Sequence, residues 1–207
     1  MKKPEFRQFL RALLRRKVRR IGVYGPPNAG KTTLANRMVE DLSGGPSLGP
    51  VSGVPHETRR VKVREGLRIR SPAGTLHLDI ADTPGVSTKV DYRDFLEYGV
   101  DEEPAKLRAK QATEGVIEAI RFLDQLDGVL MVLDSTRDPY TQVNVTLIGN
   151  MEARNLPVLI VANKIDLPSA SPYAIESAYP QHCVVKLSAL DGTNMLELYQ
   201  GMVRHLG

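Results

Sequence analysis

Three short stretches carry residue types that can handle a nucleotide. The first, Gly25-Pro26-Pro27-Asn28-Ala29-Gly30-Lys31-Thr32, fits G-x-x-x-x-G-K-[ST] and is followed by Thr33. Its glycines let successive backbone N–H groups turn inward on phosphate oxygens. Lys31 would reach the β- and γ-phosphates, and the Thr32 hydroxyl would ligate Mg²⁺. The second, Asp82-Thr83-Pro84-Gly85, offers a carboxylate for the Mg²⁺ water shell and a glycine N–H that a γ-phosphate can approach closely. The third combines Asn163-Lys164-Ile165-Asp166 with Ser188-Ala189-Leu190. Asp166 can accept from both N1–H and N2–H₂ of guanine, whereas adenine sets an unprotonated nitrogen against it. A buried polar group left without its partner discriminates by orders of magnitude. Asn163 would brace the loops, the Lys164 stem would cover the base plane, and the Ala189 N–H would meet guanine O6. A nucleotide kinase would share the first stretch but has no use for the third.

These stretches need a scaffold that gathers them at one edge. Arg20–Tyr24 reads as a short strand before the phosphate loop, and Leu34, Met38 and Leu42 form a helical stripe after it. Phosphates would then sit at a helix N-terminus, where N–H groups and the dipole favour anions. Residues 43–55, rich in Gly, Pro and Ser, are expected to form a flexible loop. Val61–Val63 and Leu67–Ile69 alternate apolar with basic, and the turn at Ser71–Gly74 leads into Leu76–Ile80, an antiparallel pair that ends at Asp82. Residues 86–104 read as a long irregular loop and 105–126 as a helix. Strands at 128–133, 157–162 and 183–187 then alternate with helices at 140–154, 172–178 and 193–206. The fold class is α/β: a P-loop NTPase domain with a six-stranded, mostly parallel sheet, one antiparallel edge strand, and helices on both faces. Ligands of such sheets bind outside the carboxyl ends of the strands.

Composition sets the surroundings. An apolar share of 42% supports an ordinary core, and the net charge of +4 is unevenly placed. Residues 1–20 hold nine Lys/Arg against Glu5, so that end carries +8 and the remainder −4. Residues 4–17 place apolar side chains at 6, 9, 10, 13 and 14, the stripe of an amphipathic helix whose other face is arginine. Two organisational units follow: a basic amphipathic helix at 1–17 and a nucleotide-binding domain at 18–207. The basic face suits RNA phosphate, and an anionic membrane surface less well. The lone Cys183 lies in an apolar run and reads as a structural thiol. No run approaches a membrane span and no signal sequence is evident, so a cytoplasmic protein is expected, with the last helix closing the domain.

The phosphate loop, Thr58, Asp82–Gly85, Asn163–Asp166 and Ser188-Ala189 together resemble the five G motifs of a translation-factor-class GTPase. Within that class the Pro-Asn-x-Gly-Lys loop, Pro55-His56-Glu57-Thr58-Arg59 and Asp-Thr-Pro-Gly look most like the Era branch. The resemblance covers about residues 18–207, without a counterpart of Era's RNA-binding KH domain, and is similar to the compact archaeal Era-like GTP-binding proteins. It implies binding of GTP and GDP with Mg²⁺, and slow hydrolysis as a conformational switch in ribosome or RNA-related assembly. The implied partner is rRNA or a ribosomal subunit, met through the basic helix. A signalling or membrane-recruited GTPase is the alternative. Thr58 is the implied switch threonine, joining Thr32 and Asp82 as a metal ligand. Val86 stands where Ras-like proteins carry a water-orienting glutamine. Two replacements are open: a K⁺ held by Asn28, or an acid among Asp91, Asp94 and Glu97. Lys31, Thr58, Gly85 and Asn28 are the expected catalytic groups.

Overall fold

The computed structural model describes residues 17–49, 60–87 and 90–207. The expected N-terminal helix up to residue 16, and the stretch 50–59 with Pro55, His56 and Thr58, lie outside the described residues. Six strands form one sheet in the order β2-β3-β1-β4-β5-β6. They are β1 (Val18–Tyr24), β2 (Lys62–Ser71), β3 (Gly74–Asp82), β4 (Gly128–Asp134), β5 (Val158–Asn163) and β6 (Cys183–Lys186). All neighbours are parallel except β2 and β3, the antiparallel edge pair, whose register shifts between Arg64 and Leu67.

The helices are α1 (Lys31–Ser43), α2 (Arg93–Leu96), α3 (Glu102–Phe122), α4 (Gln142–Glu152), α5 (Pro172–Ala178) and α6 (Met195–His205). Every residue of β4 and β5 is buried, because helices cover both faces and leave no position for a polar alternation. On one face Ile21, Val23, Leu78 and Ile80 pack under α1 and α6 through Leu34, Met38, Leu198 and Met202. On the other, Tyr24, Met131 and Ile160 meet Ala119, Leu123 and Leu147 from α3, its trailing turn and α4. Each fully buried aliphatic or aromatic side chain contributes about 1.5–3 kcal/mol. The continuous strands therefore fix the layer order.

Two expectations need correction. Residues 86–104 are not one irregular loop: they contain α2 and the first turn of α3. Asp91 starts α2, its Oδ1 accepting the Arg93 N–H at 3.0 Å, and Phe95 anchors it against Ala105 and Ala112. Pro104 falls in the first turn of α3, where a missing N–H loses no helical bond. The other correction concerns the described part of the Gly/Pro/Ser-rich run, irregular as expected yet held down. Asn36 accepts the Leu48 N–H at 2.7 Å and donates to Gly49 O at 2.8 Å. Cys183 is a free thiol, half-buried against the core, and burial pushes its pKa up. Among the described residues no helix is long and apolar enough to cross a membrane.

Candidate nucleotide site

At the carboxyl ends of β1, β3, β4 and β5, the three stretches singled out in the sequence come together. β1 delivers the phosphate loop and α1 begins directly at Lys31, with Gly30 left-handed at φ 94°. A Cβ on Gly30 would collide with the side-chain nitrogen of Asn163, so glycine is required where the base loop crosses the phosphate loop. Asn163, the last residue of β5, donates to Ala29 O at 2.8 Å and accepts the Ala189 N–H at 2.9 Å. One buried side chain thereby fastens three loops. The Ala189 N–H, expected to meet guanine O6, here goes to Asn163. Asp166 is exposed two turn residues beyond Lys164, and Leu190 is exposed with its carbonyl accepting from Arg37 at 2.8 Å. Ser188 is fully buried, its backbone holding the loop through Thr193 and Gly192.

The phosphate end is equally specific. Lys31 is buried and donates from Nζ to Pro26 O at 2.7 Å. Burial pulls its pKa down to about 8, against the opposing attraction of Asp82. Thr32 Oγ1 donates to Asp82 Oδ2 at 2.8 Å, and Asp82 has no exposed surface. A hydroxyl and a carboxylate oxygen side by side form the hard-oxygen donor set that Mg²⁺ takes, so these residues fit that ion. Thr33 lies half-buried on the next position of α1. Asn28 takes a left-handed φ of 60° at the loop's outer bend, which asparagine tolerates.

Gly85 is pressed onto the phosphate loop: a Cβ there would come within 2.9 Å of Pro27 Cα. Its lack of a side chain therefore serves loop-on-loop packing. The next residue, Val86, donates its N–H to Gly25 O at 3.2 Å and buries its side chain in the core. A cavity of about 400 Å³ joins Pro27 and Asn28 to Ser87, Asp94, Glu97 and Tyr98. Two of the three candidate acids thus line a space shared with Asn28, while Asp91 is occupied in starting α2.

Asp134 is the residue that sequence reasoning missed. It ends β4 beside Asn163 in register, is buried, and accepts Lys164 Nζ at 2.6 Å and both the N–H and hydroxyl of Thr136. Burial pushes its carboxyl upward, but the Lys164 and Thr136 hydrogen bonds outweigh it and hold the pKa below the ordinary value. Lys164 takes a left-handed φ of 67°, a costly conformation for a non-glycine residue, and the Asp134 pair holds it there. An acid closing an otherwise apolar strand was the available signal.

Residues 20–164 match the family described as 50S ribosome-binding GTPase. The chain is 32% identical to GTPase Der of Hyphomonas neptunium over 91% of its length and 32% of Der's. It is 30% identical to GTPase Era of Carboxydothermus hydrogenoformans over 88% of its length and 53% of Era's. Among solved structures, Era in complex with MgGDPNP and nucleotides of 16S ribosomal RNA superimposes with a TM-score of 0.67 at 23% identity, covering 93% of this chain and 58% of that one. At that identity the likeness is one of fold. The chain spans between a third and somewhat over half the length of these relatives.

Proposed function

This chain belongs to the 50S ribosome-binding GTPase family and is Era-like; from that premise we propose that it hydrolyses GTP as a switch that docks on RNA, rRNA or a ribosomal subunit being its partner. The observation that carries the nucleotide half is Asn163, one buried side chain bonded to both the phosphate loop and the Ser188–Leu190 loop. A pocket so fastened holds base and phosphates at a fixed separation. Asp166 selects guanine, Lys164 covers the base, and Lys31 neutralises the β- and γ-oxygens while loop N–H groups cradle them. Thr32, Asp82 and Thr58 would hold Mg²⁺, which would supply charge neutralisation for the phosphates.

Hydrolysis forms a bond from water oxygen to the γ-phosphorus and breaks the bond to the β–γ bridging oxygen, leaving GDP and phosphate. Val86 cannot orient that water, being buried and aliphatic, so intrinsic turnover is slow. Asn28 would compensate by holding K⁺, which would supply positive charge against that developing on the phosphates. Loss of the γ-phosphate then releases Gly85 and the segment behind it. The RNA half rests on the basic composition of residues 1–20 and on the likeness to Era, whose solved complex contains 16S rRNA.

Single-turnover GTP hydrolysis in matched KCl and NaCl tests the ion assignment. Faster turnover in K⁺ is expected, with the difference abolished in Asn28→Ala. Equal rates in the two salts remove K⁺ from the mechanism.

A further inference from the structure

The far end of the β2–β3 edge carries a cluster of cations that nucleotide chemistry does not use. Arg68 pairs in register with His77, and Arg70 with Thr75. Their strand neighbours Leu67, Ile69, Leu76 and Leu78 are buried under α1 and α6. Because side chains alternate along a strand, Arg68, Arg70, Thr75 and His77 point away from those apolar residues, at the open edge of the sheet. Two cavities, of about 520 and 400 Å³, share Arg68, Arg70 and His77 as lining; the first also reaches Asp41 and Leu42 of α1, and Lys17 closes the second.

These cations are set apart from the paired ones by their clustering on one patch of adjacent strands. Lys106, Arg154, Lys164 and Lys186 each hold a carboxylate within 3 Å. Lys17, Arg68 and Arg70 make no ion pair or hydrogen bond among the described residues. Two acids lie close: Asp41, which lines the first cavity and accepts the Tyr199 hydroxyl at 2.6 Å, and Asp79, which accepts the Gly66 N–H at 3.0 Å and lies 3.9 Å from Arg20. The sequence before Lys17 holds six Lys/Arg against one Glu, and Val18, just after Lys17, pairs in register with His77.

We propose that this face, centred on Lys17, Arg68 and Arg70 with His77 between the strands, binds the phosphate backbone of RNA. The proposal rests on the RNA-docking reading above and names the surface that does it. Guanidinium groups suit phosphate through their planar fork and stack on exposed bases, as imidazole does. Inserting into a membrane would need apolar side chains, and the lining offers only the half-buried Leu42. His77 lies five residues before Asp82 on β3, about 17 Å along the strand. RNA and GTP therefore occupy opposite ends of the same strand and bind together.

The test measures anisotropy of a labelled oligouridylate with the GDP-loaded full chain over a KCl series. Arg68→Gln/Arg70→Gln should weaken binding at least about tenfold and reduce the log–log salt slope by about 1.4, two contacts' worth for a single strand. Arg68→Lys/Arg70→Lys should recover most of the affinity, and GDP affinity should stay unchanged in both. Unchanged RNA affinity and slope in the glutamine variant overturn the proposal. If only Arg15→Gln/Arg16→Gln weakens RNA binding, this surface is wrong while RNA docking stands. A wild-type chain that binds no RNA overturns both. Loss of binding to phosphatidylserine vesicles or polyglutamate in the glutamine variant, with RNA binding intact, assigns the face to those partners instead.

Discussion

Around the base, Asn163 is tied to Ala29 and Ala189 and Lys164 to Asp134, all through short hydrogen bonds from buried or half-buried groups. The described part of the segment after Gly85 is held differently: Val86 donates its N–H to Gly25 O at 3.2 Å, and Asp91 bonds within the start of its own helix. Its four-residue helix α2 rests on a small cluster of Phe95, Ala105 and Ala112, apart from both main cores. The difference matches what each end must do. Base recognition requires groups fixed before the ligand arrives, since ordering them on binding would subtract from affinity. A switch segment must instead change conformation for a few kcal/mol, so its anchorage has to be small.

The sharpest way to break this contrast is at the base end. Asp166→Asn should weaken GTP binding by about 10³–10⁵-fold, because an amide donor would face the guanine donors. Xanthosine nucleotides, which present a carbonyl in place of the N2 amino group, should bind better than GTP to the same variant. Titration calorimetry with both ligands decides it, and a GTP affinity within tenfold of wild type would remove Asp166 from base selection.

At the switch end, Phe95→Ala deletes the main anchor of α2. Truncating a buried phenylalanine costs about 3–5 kcal/mol, more than a four-residue surface helix can supply. Hydrogen exchange over residues 93–101 should accelerate strongly while GDP affinity changes less than about threefold, as that region does not touch the base. Equal loss of protection in the Asn163–Asp166 loop would mean the two ends form one cooperative unit.

The smallest effect concerns Asp134. Asp134→Asn keeps the shape but loses the charge that meets Lys164, at a cost of about 1–2 kcal/mol by urea unfolding at neutral pH. The Asp134 carboxyl is held below its ordinary 3.8 in the folded protein, so its contribution is full above that value. It disappears as pH falls through the lower, folded value. The gap between wild type and variant should therefore close in acid; a gap independent of pH would place Asp134's role in packing.

The β2–β3 alternation and the apolar strands 128–133 and 157–162 were legible because period-two and continuous patterns reflect which faces are covered. The short helix α2 was not, since a four-residue element with a single aromatic anchor has no periodicity to display. Val86 could be identified as aliphatic from its letter, but not as bonded through its N–H to Gly25.

The order of residues alone specified the phosphate loop, the Asn163–Asp166 stretch proposed to select the base, and the α/β layering, because each depends on local spacing or on solvent-imposed periodicity. Tertiary structure alone decided that Asn163 joins three loops, that Asp134 holds Lys164 in a left-handed turn, and that Lys17 and His77 come beside Arg68 and Arg70. Such pairings depend on which strand ends become neighbours, and crossover connections bring together residues that chain order keeps far apart.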